Sequence, residues 1–273
     1  MIAVFDSGLG GLCALRALRQ RLGGEDILYF GDTARLPYGD RCEQTLLRFT
    51  RDDLRFLLRF APRAILAACG TVSSVALPTV RAECPVPLFG IVEPTARQAL
   101  LQSRTRRIGV IGTSATIASG AYQLALQALC PDVAVFSLAC PLFVPLIENG
   151  LAHREDVALP VCEHSLSPLR EQCIDTLILG CTHYPLLCDL IARVLGEVTL
   201  IDAAQCGAHA LCDSLGEIDG ERGVTRYFVS DDPDAFASRA QAFLGRRAAP
   251  VYLYRHPSEK RHEKRRARDE IFS

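Results

Sequence analysis

Short apolar runs recur along the chain, each closing on a small or polar residue and leading into a stretch with helical periodicity. IAVFDSG from Ile2, DILYFGD from Asp26 and ILAACGT, which carries Cys69, occupy the first half. IGVIGTS from Ile108, DVAVFSL from Asp132 and LILGCTH, which carries Cys181, follow in the same order in the second. Runs this continuous read as strands buried on both faces, and their alternation with helical stretches reads as a parallel sheet covered by helices. The step from Ile2 to Ile108 equals the step from Asp26 to Asp132, and that from Cys69 to Cys181 is slightly longer, so one unit occurs twice with a small insertion. The expected fold is α/β, with two pseudo-symmetric domains, each a parallel sheet flanked by helices, and an active site in the cleft between them.

Prolines in CPVPLFGIVEP, from Cys84 to Pro94, interrupt helix and sheet alike and mark the passage between the units. The first domain is expected over residues 1–93 together with 206–254, and the second over 94–205. In the returning segment, QCGAHALCDSL reads as helix, RYFVSDD as a strand ending in a turn, and PDAFASRAQAFL as a helix with Pro233 in its first turn. Residues 255–273 are charge-dense and nearly free of apolar side chains, a basic tail expected to be solvated or disordered. A weak role towards an anionic partner is the alternative for that tail.

At 273 residues and 49% hydrophobic content the chain can bury one large or two medium cores. A formal net charge of −1 and a pI near 6.6 give no global drive towards nucleic acid or a membrane, so a small-molecule ligand is expected. No apolar stretch approaches the roughly 20 residues that span a bilayer, and the first strand starts at Ile2 without a basic leader, so a cytoplasmic protein is expected. The sequence leaves the oligomeric state open, a homodimer included.

Twelve cysteines include no CxxC pair and no Cys/His pair at zinc-finger spacing, so no metal is expected. Cys13, Cys42, Cys84, Cys130, Cys140, Cys162, Cys173, Cys188, Cys206 and Cys212 read as small apolar core residues. Cys69 and Cys181 differ, because each follows a buried-strand pattern and precedes a turn. They fall at the carboxyl ends of strands, where open α/β sheets bind ligands. Two thiols facing each other across one cleft suit the movement of a proton from one face of a stereocentre to the other. A Cys/His pair such as Cys181 and His183 also fits a thiol hydrolase, but that reading leaves Cys69 without a task.

The first strand ends in FDSGLGG, placing Asp6 and Ser7 at the sheet edge beside a glycine turn able to hold a carboxylate or phosphate. The rival is a dinucleotide fingerprint, with Gly8 and Gly10 as GxG and Asp32 as the ribose acid, although Cys13 occupies the third glycine position. In GDTARLPYGD, Pro37, Tyr38 and Gly39 form a turn that can present backbone donors and an aromatic hydroxyl to a cleft, or an ordinary surface turn. The chain's two lysines, Lys260 and Lys264, both lie in the tail. Pyridoxal phosphate enzymes bind their cofactor on a buried lysine, so amino acid isomerisation here is expected to proceed by direct proton abstraction with no cofactor.

FDSGLGGL, GDTARLPYG, ILAACGT, FGIVEPT, IGVIGTSAT, PLIENG and LILGCTHYPLL, in this order, resemble the bacterial glutamate racemase family from about Ile2 to Asp202. The resemblance implies cofactor-independent interconversion of L- and D-glutamate, supplying D-glutamate for peptidoglycan. It implies Cys69 and Cys181 as the two acid/base residues, assisted by Asp6, Glu148 and His183. It further implies that Asp6, Ser7, Tyr38, Gly39, Thr71, Thr113, Thr116, Thr182 and His183 contact the substrate. Read on their own, Glu148 fits a charged residue at a helix end before an Asn-Gly turn, Asp6 fits a helix N-cap, and Thr113 and Thr116 fit a strand-to-helix connection.

Gly70 stands where the family usually carries Asn. The glycine retains its backbone N–H but lacks an amide that would orient substrate, a contact worth on the order of 1–3 kcal/mol. Altered or weakened substrate preference is expected, and Gly70→Asn is expected to raise kcat/KM with glutamate. The alternatives are a racemase for aspartate or another amino acid, and a non-catalytic regulatory paralogue.

Overall fold

The computed structural model describes residues 1–216 and 223–256. Of the tail read from residue 255 onward, all but Arg255 and His256 lies outside the described residues.

The first half supplies strands β1 (Ile2–Asp6), β2 (Ile27–Gly31), β3 (Ile65–Ala67) and β4 (Leu88–Phe89). The second supplies β5 (Arg107–Gly112), β6 (Ala134–Ala139), β7 (Thr176–Leu179) and β8 (Thr199–Asp202). Strands β9 (Thr225–Val229) and β10 (Val251–Leu253) return to the first sheet. Among the described residues the sheets run β10-β9-β2-β1-β3-β4 and β6-β5-β7-β8, and every pairing is parallel. The order β2-β1-β3-β4 is repeated as β6-β5-β7-β8, so the recurring apolar runs are equivalent strands of two like-wound sheets. The cysteine-bearing turns follow β3 and β7, the same position in each.

Strand β1 is buried along its whole length because both its faces are covered. Ile2 and Val4 point into one apolar cluster, and Ala3 and Phe5 into another, as the period of two requires. The Ala3/Phe5 face is covered by the helix Glu43–Leu58, whose Leu46, Phe49, Leu54 and Leu57 recur at helical spacing. The Ile2/Val4 face belongs to a continuous core that also holds Ile108, Val110 and Ile178 of the second sheet. Helices Leu12–Arg21 and Val92–Gln102 each pack on Ala203–Leu215, and the three carry that core from one sheet to the other. Each fully buried Leu or Phe contributes about 1.5–3 kcal/mol, so this shared layer resists separation of the sheets.

The proline-rich passage behaves differently from the expectation that it interrupts both kinds of element. Leu88 and Phe89 form an edge strand on β3, with Pro87 placed just outside the ladder and its carbonyl accepting from the Ile65 amide. Pro94 lies in the first turn of the helix Val92–Gln102, where an N–H has no intrahelical partner to lose. Two of the cysteines assigned to the core, Cys42 and Cys173, are exposed, since they sit at the N-cap of the helix Glu43–Leu58 and in a turn before β7. No helix among the described residues is long and apolar enough to cross a membrane.

One polar cluster is buried beside the first sheet. Arg35 donates to Asp32 at 2.5 Å, to Asp53 at 2.6 Å and to Asp52 at 3.2 Å, and its guanidinium lies 2.7 Å from His256 Nε2. Ser230 donates to Asp32 at 2.8 Å. Asp53 is the charged residue among the buried side chains of the helix Glu43–Leu58. Burial and the adjacent Asp32 push its carboxyl up to about 7. Burial would raise Asp32 as well, but the bond from His256 and the Arg35 charge hold it below its ordinary value. Removing one partner of such a buried set strands the rest, a loss of about 3–5 kcal/mol. Arg35→Ala is therefore expected to lower unfolding stability by that amount in urea titration, and a loss below about 1 kcal/mol would show that the cluster is not held by its charge.

Candidate active site

The carboxyl ends of the two sheets face each other across a cavity of about 360 Å³. Cys69, just past β3, and Cys181, just past β7, both line it. Ser7, Tyr38, Gly39, Gly70, Thr71, Thr113, Glu148, Thr182 and His183 line it too. Two of the expected substrate contacts stand one layer back: Asp6 and Thr116 are buried and reach the cavity wall through their neighbours.

Asp6 accepts from Thr182 Oγ1 at 3.3 Å and from the Gly8 amide at 2.9 Å. The N-cap of the following helix is Gly11, so Asp6 is not a cap; its carboxylate spans from the first half to the second. Burial raises its pKa, opposed by the His183 charge and by its hydrogen bonds. Thr113 caps the short helix Ser114–Ala118 through the Thr116 amide at 3.3 Å, and its hydroxyl lies 2.9 Å from that of Thr116. The same Thr113 hydroxyl lies 2.9 Å from Thr71 Oγ1, so the strand-to-helix connection and the cleft wall are one structure.

The surroundings of the thiols are unequal. Cys69 faces Ser7 Oγ at 3.6 Å, and burial, followed by the nearby Asp6 charge, pushes its thiol up to about 12. Cys69 is therefore a protonated thiol at neutral pH. Cys181 lies 3.9 Å from His183 Nδ1, and the opposite ring nitrogen of His183 lies 3.0 Å from Glu148 Oε1. Burial disfavours charge on this imidazole, yet its contacts with Cys181 and Glu148 outweigh that and push its pKa up to about 10. Glu148 ends the helix Phe143–Glu148, followed by Asn149 and by Gly150 at φ 72°, so the helix-end placement is what aims its carboxylate at His183. Phe243 packs edge-on against the imidazole, 5.7 Å between ring centres.

The Tyr38 hydroxyl does not enter the cleft. It donates to Asp32, and lies 3.2 Å from Asp53, so the ring forms cavity wall while the oxygen is taken up by the buried ion cluster. The dinucleotide reading fails on the same residue, because Asp32 is fully buried among Arg35, Tyr38, His256 and Ser230 and cannot meet a ribose. Asp32, Asp53 and His256 are close enough to share a metal ion, their ligand atoms all within 4.8 Å. The Arg35 guanidinium lies against all three and fills that position, which makes the group an ion-pair network.

An asparagine at position 70 would require one of the two cysteine-bearing turns to shift. A Cβ built on Gly70 would stand 2.0 Å from the Gly180 carbonyl oxygen, a backbone atom that cannot swing away. Cys140, Asp40, Ser114 and Asn149 also line the cavity and were not among the expected contacts. Asn149 lies within PLIENG and Cys140 just past DVAVFSL, but nothing in their local pattern separates a cavity position from a turn or core one.

A family model described as Asp/Glu/Hydantoin racemase matches residues 15–211. The chain belongs to this racemase family. A glutamate racemase of Geobacter metallireducens is 42% identical over 265 residues, covering 95% of this chain and 98% of that one. The crystal structure of a glutamate racemase isoform from Bacillus anthracis aligns with TM-score 0.90 at 34% identity, over 94% of this chain and 98% of that one. The glutamate racemase of Francisella tularensis in complex with D-glutamate aligns with TM-score 0.88 at 34% identity, over 94% and 98%. Two like-wound parallel sheets with a cleft between them are thus the racemase architecture.

The His183 shift fixes a pH dependence. A group whose folded pKa lies near 10 and whose unfolded pKa lies near 6.5 contributes stability that is complete below pH 6.5 and is lost as pH rises towards 10. The ring is expected to stay imidazolium in an NMR titration from pH 6 to 9, and Glu148→Gln is expected to lower its midpoint by removing one stabilising contact. A midpoint near 6.5 in the unaltered protein would contradict the assignment.

Proposed function

We propose that this protein interconverts L- and D-glutamate by direct proton transfer at the α-carbon, with Cys69 and Cys181 as acid/base groups on opposite faces of the substrate. The observation that carries the reading is the arrival of both thiols in one cavity from equivalent positions of the two sheets. One sulfur, as thiolate, removes the α-proton; the opposite thiol gives its proton to the other face; the second sulfur is then the thiolate. The charge count is unchanged, and the reverse direction exchanges the roles.

In this reading the unequal surroundings divide the work. The imidazolium of His183, held by Glu148, sets a positive charge beside the Cys181 sulfur. Cys69 begins as the proton donor. Asp6 supports Thr182, and Ser7, Tyr38, Gly39, Gly70, Thr71, Thr113 and Thr182 form the substrate-facing wall, with Thr116 behind Thr113. Among the described residues the lining contains no Lys or Arg, so hydroxyls, backbone amides and the His183 charge would hold the carboxylates of the substrate.

The family likeness and the ligand of the Francisella relative favour glutamate. Confinement of lysine to positions 260 and 264 supports chemistry without pyridoxal phosphate. The proposal extends to D-glutamate supply for peptidoglycan in the cytoplasm, and to a division into residues 1–93 with 206–254 and residues 94–205. Incubation of the pure protein with L-glutamate in D₂O is expected to give α-deuterated D-glutamate and decay of optical rotation. Cys69→Ala and Cys181→Ala are each expected to lower racemisation about 100- to 10,000-fold, the range for removal of a general acid or base. Full activity in either variant would refute the two-base assignment.

A further inference from the structure

A buried histidine that the mechanism does not use deepens the racemase reading above, and rests on it for the substrate. His256 is the second residue of the segment read as a solvated tail, and it lies beyond residues 15–211 matched by the family model. It is nonetheless fully buried. Tyr254 brings the chain to this place, its amide donating to the Val229 carbonyl at 2.7 Å and its ring stacked on Phe56 at 3.8 Å between centres. The His256 ring then packs edge-on against Phe30 and Tyr254, at 5.6 and 5.1 Å. One ring nitrogen, Nδ1, has no hydrogen-bond partner among the described residues. The other, Nε2, lies 2.7 Å from Arg35, 3.3 Å from Asp53 and 3.6 Å from Asp32.

Arg35 belongs to the loop that carries Tyr38 and Gly39 to the cavity. The start of this loop is tied to the end of β9: Thr33 Oγ1 donates to the Asp231 carbonyl at 2.9 Å, and the Ala34 amide donates to Ser230 Oγ at 2.8 Å. Farther along, the Arg35 fork and the Tyr38 hydroxyl both end on the Asp32 and Asp53 carboxylates that His256 approaches. We propose that His256 is a positioning residue for the substrate-facing wall, acting through Arg35 and Asp53 to hold Tyr38 and Gly39 in place. The thiols are anchored elsewhere, by the Ser73 amide on the Cys69 carbonyl at 2.9 Å and the Tyr184 amide on the Cys181 carbonyl at 3.1 Å. Loosening the wall therefore weakens substrate binding while leaving proton transfer in place, which raises KM with little change in kcat. A histidine that only stabilises the fold gives the opposite split, because a smaller folded fraction lowers apparent kcat at constant KM.

The test exploits the two ring nitrogens. A glutamine amide reaches the place of Nε2 and an asparagine amide that of Nδ1, so His256→Gln keeps the contacts with Arg35 and Asp53 and His256→Asn loses them. With L-glutamate, His256→Asn is expected to raise KM about tenfold, the worth of roughly one or two hydrogen bonds, while kcat stays within about twofold. His256→Gln is expected to hold KM within about threefold of the unaltered value, and His164→Asn, exposed on the helix Glu155–Arg170, is expected to match the unaltered protein. Without substrate, hydrogen exchange at the Ala115 amide, which donates to the Gly39 carbonyl at 2.9 Å, is expected to quicken about tenfold in His256→Asn while the amides of β1 stay protected. An unchanged KM in His256→Asn overturns the proposal whether or not kcat falls, and so does an unchanged exchange rate at Ala115. Equal effects of His256→Gln and His256→Asn overturn it as well, since Nε2 is then not the group that acts. Loss of the fold in His256→Asn also overturns it, by assigning the histidine to the core. An inactive unaltered protein overturns the racemase reading, and the exchange at Ala115 in the two variants then still decides whether His256 holds the wall.

Discussion

The meeting of two strand-end surfaces across a narrow seam is the constraint on which the site depends. Asp6 to Thr182, Thr71 to Thr113 and Gly39 to Ala115 are short polar links between halves whose apolar layers are already joined by three helices. Separating the sheets would expose part of a continuous apolar core, whereas shifting them slightly at the seam disturbs a handful of hydrogen bonds worth about 1 kcal/mol each. The architecture therefore places the two thiol-bearing turns through the shared core and ties their neighbourhoods together by hydrogen bonds at the seam.

Like-wound halves do not produce a symmetric site. The turns after β3 and β7 are equivalent in topology, yet one thiol meets Ser7 and the field of Asp6 while the other meets an imidazolium. Burial opposes ionisation of both His183 and Asp6; at the ring the contacts with Cys181 and Glu148 outweigh it, while at the carboxylate the His183 charge, Thr182 and the Gly8 amide only oppose it and the pKa stays raised. These partners come from three different segments of chain, so the electrostatic asymmetry is a property of the assembled cleft.

The strands were legible because runs such as IAVFD and TLIL are apolar without alternation, which buried parallel strands require. The thiols were legible because their turns recur after equivalent strands, and Glu148 because its motif matched a family pattern. Contacts between distant segments were not. Tyr38 carries a hydroxyl in a cleft loop, and nothing local says that it turns inward to Asp32 and Asp53. Nor does the isolated sequence place Phe243 on the His183 ring. At Gly70 the absent amide was visible in the sequence, while the Gly180 carbonyl that faces it from the other half was not.

The buried ion cluster accounts for how an irregular loop can serve as a rigid wall. Residues 33–40 have little regular structure, and a loop with only its own backbone bonds would sample many arrangements. Arg35 and Tyr38 instead anchor it to Asp53 on the helix Glu43–Leu58 and to Asp32 at the end of β2, while Ser230 and His256 approach from the returning segment. Desolvating these charges is costly, and an apolar replacement of equal volume could pack as well without directional bonds. What the charged arrangement adds is a unique geometry: a guanidinium fork satisfied by carboxylates admits few alternatives. The loop that presents Tyr38 and Gly39 to the cavity is thereby fixed from behind, and the seam contact at Gly39 inherits that precision.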